Sequence, residues 1–226
     1  MDKKIAMLGA GAIGSSIGAD LTRTGYDVVI IDQWPAHVDA MKANGLRVSM
    51  PDGEWTTPVQ ACHICDVSTL APQLDIVFFS PKSYDTRWMT ELIKPYLKPG
   101  DVIVGVQNGV NDEAIVSIVG YQRVIACAFE LSAEVFTPGR VQRNSTTIII
   151  HHGKSAKQVR GVVLQDYLKG RYTETDYLSG LVVSKGKEAG VPTPANEAVT
   201  EMNRQIRRGA LKPDRSNLAL VEEMIR

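Results

Sequence analysis

A doubly wound parallel α/β sheet followed by a short all-helical region is the fold this sequence predicts. Three observations carry it. Short apolar runs alternate with segments of helical periodicity through about residue 130, a glycine-rich turn joins the first such pair, and past residue 150 only helical patterns remain. Alternating strand and helix is the pattern of a sheet covered by helices on both faces.

Taken in order, residues 5–8 are apolar throughout, as a strand buried on both faces requires. The glycine turn follows, and residues 13–23 then place apolar side chains at helical spacing. Residues 28–31 read as the second strand and 36–43 as the second helix. Residues 46–49 and 55–60 flank Pro51-Asp52-Gly53, where Pro presets φ and Gly admits positive φ, so a small hairpin is expected. Further strands are expected at 76–79, 102–106 and 124–128, separated by helices at 86–97 and 112–119. Thr137-Pro138-Gly139 marks a second turn between 135–136 and 141–143, and 148–150 is the last strand-like run. Helices are expected at 158–168, 175–189, 194–208 and 218–225. Thr193 ahead of Pro194 reads as a capping hydroxyl before a proline in the first turn, and Gly190 as a helix stop. These patterns draw a boundary near residue 152, giving domains over 1–152 and 153–226. The second is too small for a comfortable core of its own and is expected to pack on the first domain or on another chain, as in a homodimer through this helical tail.

Composition narrows the function classes. The chain has 226 residues, with Lys+Arg and Asp+Glu both 25, so its formal net charge is zero. A balanced chain gives no footprint for nucleic acid or an anionic membrane. Hydrophobic residues at 44% and charged residues at 22% argue against disorder. No apolar run approaches the roughly 18 residues of a membrane span. Met1 leads directly into a strand-like segment, and the three cysteines, Cys62, Cys65 and Cys127, are odd in number. A reduced, cytoplasmic globular protein is the expectation.

The chemistry begins at Gly9-Ala10-Gly11-Ala12-Ile13-Gly14, which follows a strand and opens a helix. In that context a GxGxxG run reads as a dinucleotide-binding Rossmann turn. Gly9 permits the tight turn, Gly11 the approach of a pyrophosphate, and Gly14 close packing of helix on sheet. The helix N-terminus adds free N–H groups and a positive dipole end. Asp32 ends the second strand 18 residues beyond Gly14, near the ~20-residue spacing at which a carboxylate meets the adenosine ribose. A carboxylate there repels a 2′-phosphate and favours NAD(H), with Arg47 as the cation able to offset it.

Lys82 and Asn108 lie just past strands at 76–79 and 102–106, on the carboxyl edge where open α/β sheets bind ligands. Glu174 forms a stripe with Leu178, Leu181 and Lys185 on what should be a packed helix face, unless it serves only to cap that helix. Cys62-His63-Ile64-Cys65 lacks a second ligand pair, so no metal site is expected. His151-His152 reads as a linker, and Arg204, Arg207 and Arg208 as a solvated helix face.

These residues resemble the ketopantoate reductases (2-dehydropantoate 2-reductases). The likeness runs through the glycine turn, Lys82, Gln107-Asn108-Gly109-Val110 and Thr137-Pro138-Gly139. It resumes in Gly161-Val162-Val163-Leu164-Gln165-Asp166, Arg171-Tyr172-Thr173-Glu174-Thr175-Asp176 and Gly190-Val191-Pro192-Thr193-Pro194. The resemblance implies a nicotinamide-binding Rossmann domain, an all-helical domain and an active site in the cleft between them. It implies reduction of 2-dehydropantoate to pantoate, a step of pantothenate and coenzyme A synthesis, usually with NADPH. By the same likeness, Lys82 and Asn108 contact cofactor or substrate, and Glu174 matches the family's active-site glutamate.

Two departures stand out. Asp32-Gln33 lacks the basic residue that many members place there for a 2′-phosphate. The opening helices of the family's second domain, with its proton-donor lysine, have no counterpart between 150 and 153, so that domain is shortened. Either the protein carries an internal deletion or residues of a longer chain are omitted. The expectation is an NAD(P)H-dependent reductase acting on a 2-keto acid. Its alternative is a catalytically incomplete dinucleotide-binding or oligomerising protein.

Overall fold

The computed structural model describes residues 3–70, 74–127, 131–144, 162–214 and 216–225. It divides into two compact units, Met1–Gln107 with Asn111–Val159, and Asn108–Val110 with Arg160–Arg226. The boundary expected near 152, the strand at 148–150 and His151-His152 lie outside the described residues.

The first unit begins with β1 (Lys4–Leu8), α1 (Ala12–Arg23), β2 (Asp27–Asp32) and α2 (Pro35–Asn44). A hairpin, β3 (Leu46–Met50) and β4 (Gly53–Thr57), turns at Pro51-Asp52 as expected. There follow β5 (Gln60–His63), β6 (Leu74–Phe79), α3 (Thr86–Ile93), β7 (Leu97–Gly105), α4 (Asp112–Val119) and β8 (Val124–Ala126). The last described elements of this unit are β9 (Ala133–Glu134) and β10 (Arg140–Arg143), on either side of the Thr137-Pro138-Gly139 turn.

Six strands form one parallel sheet in the order β5-β2-β1-β6-β7-β8. The order reverses at β1, whose neighbours β2 and β6 lead to opposite edges. Alternate side chains of β1 and β2 feed two cores. Ala6, Leu8, Val29 and Ile31 pack with Met89, Ile93 and Ile115 of α3 and α4. Ile5, Met7, Val28 and Ile30 pack with Ala19 of α1 and Met41 of α2. Each fully buried side chain of that size contributes about 1.5–3 kcal/mol, which is why these strands carry no polar face. A second sheet, β4-β3-β10-β9, extends the second of these cores through Leu46, Val48 and Val141.

Several expected elements are redrawn. The helix expected over 86–97 ends at Ile93, because Pro95 has no N–H to continue it; a 3-10 turn, Lys94–Tyr96, leads straight into β7. The strand expected over 55–60 splits at Pro58 for the same reason, and its second part, β5, joins the main sheet beside β2. The strand expected at 135–136 lies two residues earlier, as β9.

The second unit contains α5 (Val162–Leu168), α6 (Ser179–Ala189), α7 (Pro194–Arg207) and α8 (Asn217–Ile225). The helix expected over 175–189 is broken at Leu178 (φ −104°, ψ −91°), with a 3-10 turn, Thr175–Tyr177, before it. Gly190 ends α6 in the left-handed conformation (φ +69°), with the Val191 N–H returning to the Gly186 carbonyl at 2.8 Å. Thr193 does not cap α7: its hydroxyl faces Glu197 Oε1 at 3.4 Å instead. Among the described residues no helix is long and apolar enough to cross a membrane.

Candidate functional site

Three hydrogen bonds carry the parallel ladders one residue beyond their strands. The N–H groups of Gly9, Ser80 and Val106 donate to the carbonyls of Ile31, Leu8 and Phe79 at 2.8, 2.8 and 3.0 Å. The glycine turn, the segment opening at Ser80 and the segment opening at Val106 therefore leave the sheet together at its carboxyl edge. That edge, where strand order reverses, is the ligand crevice of an open α/β sheet.

The glycines of the turn serve different purposes. Gly9 has φ +93°, and a Cβ there would lie 2.7 Å from Pro81 N. A Cβ on Gly14 would lie 1.9 Å from the Gly9 carbonyl oxygen. Both are required by internal packing. Gly11 is not: its backbone (φ −64°, ψ −166°) suits any residue, and a Cβ there would meet nothing within 4 Å. It is exposed, at the N-cap of α1, with no side-chain capping bond and no acidic residue in the first turn. Ala12 and Ile13 begin the helix half-buried, and Ala10 is buried beneath the turn. The first-turn amides of α1 thus face a space that no side chain of the turn fills, which fits a phosphate group.

Asp32 is drawn into the same turn. Its Oδ2 accepts the Ala10 N–H at 2.5 Å and its Oδ1 accepts the Trp34 N–H at 2.8 Å. A carboxylate has about four acceptor positions, so capacity for a hydroxyl donor remains. The next residue, Gln33, donates to a second carboxylate, Asp85, at 3.3 Å, and Trp88 Nε1 donates to Asp85 at 2.7 Å. Arg47, the cation able to offset Asp32, is held instead by Glu54 across the β3–β4 hairpin, with Nε to Oε2 at 3.0 Å. That pairing raises the Arg47 pKa and lowers that of Glu54.

Lys82 follows Pro81, the residue against which the Gly9 turn packs, so the fold brings it to the turn's side of the crevice. It is half-buried and extended (φ −64°, ψ 148°), and its carbonyl accepts the Asp85 N–H at 2.8 Å. Gln107 braces this segment: its amide donates to the Pro81 carbonyl at 2.8 Å and to Thr86 Oγ1 at 2.9 Å, while its own Oε1 is buried with no partner.

Asn108 and Glu174 fall in the other unit. Asn108 is exposed. Glu174 is only 3% exposed, between the buried hydroxyls of Thr173 and Thr175, which share a bond of 3.2 Å. It stands at the N-cap of the 3-10 turn without a side-chain capping bond. The stripe expected along 174–185 is interrupted at Leu178, and Lys185 is exposed and paired with Glu188 at 3.2 Å. Arg204 and Arg207 both reach Asp176 at 2.8 Å, and Arg208 pairs with Glu201 at 2.7 Å, as a charged helix face does. Burial pushes the Asp176 carboxyl up, but the guanidiniums of Arg207 and Arg204 outweigh it and hold it below the usual range. His63 is occupied in the fold, with Nε2 on the Gln33 carbonyl and Nδ1 accepting the Cys65 N–H, both at 3.2 Å.

Sequence reasoning missed His37. It is fully buried; its Nε2 meets Ser15 Oγ at 3.2 Å, its Nδ1 accepts the Gly139 N–H at 2.9 Å, and its ring stacks on Trp34. The helical spacing of His37, Val38 and Met41 marked it as inward-facing, but nothing local announces a partner 102 residues away.

A glycine turn opening a helix at the switch point of a parallel sheet defines a Rossmann-type, dinucleotide-binding class of fold. Residues 5–155 match the family model described as ketopantoate reductase PanE/ApbA, and the chain belongs to that family. Among curated relatives, the 2-dehydropantoate 2-reductase of Lactococcus lactis is 24% identical over 183 residues, covering 78% of this chain and 58% of the relative. That of Aquifex aeolicus is 33% identical over 144 residues, covering 63% and 44%. The chain spans about half the length of these curated relatives. The PanE/ApbA family ketopantoate reductase of Ralstonia eutropha JMP134 superposes with a TM-score of 0.79 at 23% identity, over 91% of this chain and 99% of that one. D-mandelate dehydrogenase in ternary complex with NADH and anilino(oxo)acetate superposes at 0.78 with 19% identity, over 89% and 97%. At these identities the two structures establish a shared fold.

Proposed function

We propose that this chain is an NAD(P)H-dependent reductase of the ketopantoate reductase type, acting on a 2-keto acid such as 2-dehydropantoate, with NAD(H) preferred. The observation that carries the reading is the open space over Gly11, beside amides that no side chain caps. The family match supports the reaction class, and the 2-oxo acid analogue in the D-mandelate dehydrogenase complex supports the substrate class. Preference for NAD(H) is supported by Asp32 in the turn, Asp85 beyond it and Arg47 committed to Glu54.

In this reading the turn Gly9, Ala10, Gly11, Ala12, Ile13 and Gly14 holds the pyrophosphate, and Asp32 accepts from the adenosine ribose. A bound nicotinamide dinucleotide supplies the hydride that adds to the carbonyl carbon. Lys82 sets positive charge against the oxygen as it gains electron density, and its ammonium gives that oxygen the proton that completes the alcohol; solvent then restores it. Asn108 holds the cofactor, and Glu174 places the substrate and the nicotinamide ribose.

The test is oxidation of NADH and NADPH with 2-dehydropantoate and a panel of 2-keto acids. Turnover faster with NADH, and cut about a hundredfold in Lys82→Ala, is the expected result. Unchanged turnover in that variant removes Lys82 from the mechanism. Tight nucleotide binding without turnover on any keto acid favours a dinucleotide-binding protein that does not catalyse reduction.

A further inference from the structure

We propose that His37 and Ser15 form a positioning relay that sets the Ala10 peptide of the glycine turn, so that dinucleotide affinity depends on a neutral His37 carrying its proton on Nε2. This rests on the dinucleotide reading above and adds His37 and Ser15, which that reading does not use. Ala10 lies between the two glycines that bracket the turn, and both of its backbone groups are tied. Its N–H goes to Asp32 at 2.5 Å, and its carbonyl accepts from Ser15 Oγ at 2.8 Å. A hydroxyl has one proton. Ser15 spends it on Ala10, so toward His37 it can only accept, and Nε2 must donate across the 3.2 Å contact. At the other side of the ring, Nδ1 accepts the Gly139 N–H at 2.9 Å and must be bare. The two bonds together specify one neutral tautomer.

The relay reaches from the tip of the second sheet's turn to the glycine turn. Gly139 is itself fixed, its carbonyl accepting the Arg47 N–H of β3 at 2.9 Å. The groups facing His37 are Ser15 from α1, the Ala10 carbonyl of the glycine turn, Gly139 from the second turn, Trp34 stacked at 5.4 Å, and Asp32 at the end of β2, which supplies the charge. Burial lowers the His37 pKa below 6.5 against the opposing pull of Asp32 and the Ala10 carbonyl. At neutral pH the ring is therefore in the state the relay needs. Protonation would turn Nδ1 into a donor pointed at a donor, expel Gly139, and release the ring that holds Ser15.

The test is NADH binding by calorimetry from pH 8 to pH 5.5 for the whole chain and for Ser15→Ala, with melting of the free proteins followed in parallel. The wild type is expected to bind at pH 8 and to weaken about tenfold as pH falls below 6.5, the worth of one good hydrogen bond. Ser15→Ala is expected to bind about tenfold more weakly at pH 8, since the Ala10 carbonyl loses its hydroxyl donor, and to show a smaller pH step, since the ring then reaches the turn only through its direct contact with that carbonyl. A change in melting alone, with affinity and pH profile as in the wild type, overturns the relay and leaves the dinucleotide reading intact. Failure of the wild type to bind either nucleotide at pH 8 overturns both. Imidazole nitrogen spectra of the wild type are expected to show the Nε2-protonated tautomer at pH 7.5; an Nδ1-protonated ring overturns the relay whatever the variant does.

Discussion

Asp32 has a proposed role at the ribose and an observed one in the turn, and only the first is visible in the sequence. Its distance from the glycine run is a local spacing, set by one helix and one strand, so the ribose contact proposed for it is legible there. Its bond to the Ala10 N–H was not, because that depends on how the turn folds back over β2. Asp32→Asn should separate the roles. An amide keeps one acceptor oxygen and loses the charge, so NADH affinity should fall about tenfold while the ratio of NADPH to NADH affinity rises. Titration of both nucleotides against the variant measures this, and an unchanged ratio would assign cofactor choice elsewhere. Gly11 and Glu174 were legible as residue types in a pattern. That Gly11 alone of its motif has no internal packing reason, and that Glu174 is buried without capping its turn, took the structure to see.

Among elements, those built from one uninterrupted physical pattern were read correctly. β1, β2 and β6 are apolar because both faces are covered, and α4 was placed at its true ends. Elements ended by a proline were misjudged where the apolar pattern ran past it, as at Pro58 and Pro95. Strand β5 was missed as a separate strand because it is short, at the sheet edge and half polar. The ends of α6 and α7 give a paired prediction. Gly190→Ala forces a side chain into the left-handed region and should cost about 1 kcal/mol, whereas Thr193→Ala should change stability by less than about 0.5 kcal/mol, its hydroxyl capping nothing. Urea unfolding of the two variants checks this. A loss of about 1 kcal/mol in Thr193→Ala would mean that the capping bond read from the sequence forms in solution.

At the scale of the whole chain, the doubly wound order follows from the alternation of strand and helix, but the second sheet does not. Its central parallel pair joins Arg47–Ser49 to Arg140–Gln142 across some ninety residues, and no local signal encodes that distance. Yet this sheet is what anchors the site. Arg143 of β10 reaches the Ser16 carbonyl and Asp20 of α1, at 2.5 and 2.8 Å, and Gly139 reaches His37. The helix that opens at the glycine turn is therefore held by the second sheet. The central claim is that this held turn accepts a dinucleotide's phosphates over Gly11. It is tested most directly by calorimetric titration of NADH into the wild-type chain and into Gly11→Ala. A methyl group there meets no protein atom, so the variant should fold with stability within about 1 kcal/mol of the wild type. It should nonetheless bind NADH tenfold or more weakly, because the added carbon takes the phosphate's room. Equal affinity in the two proteins would contradict the account.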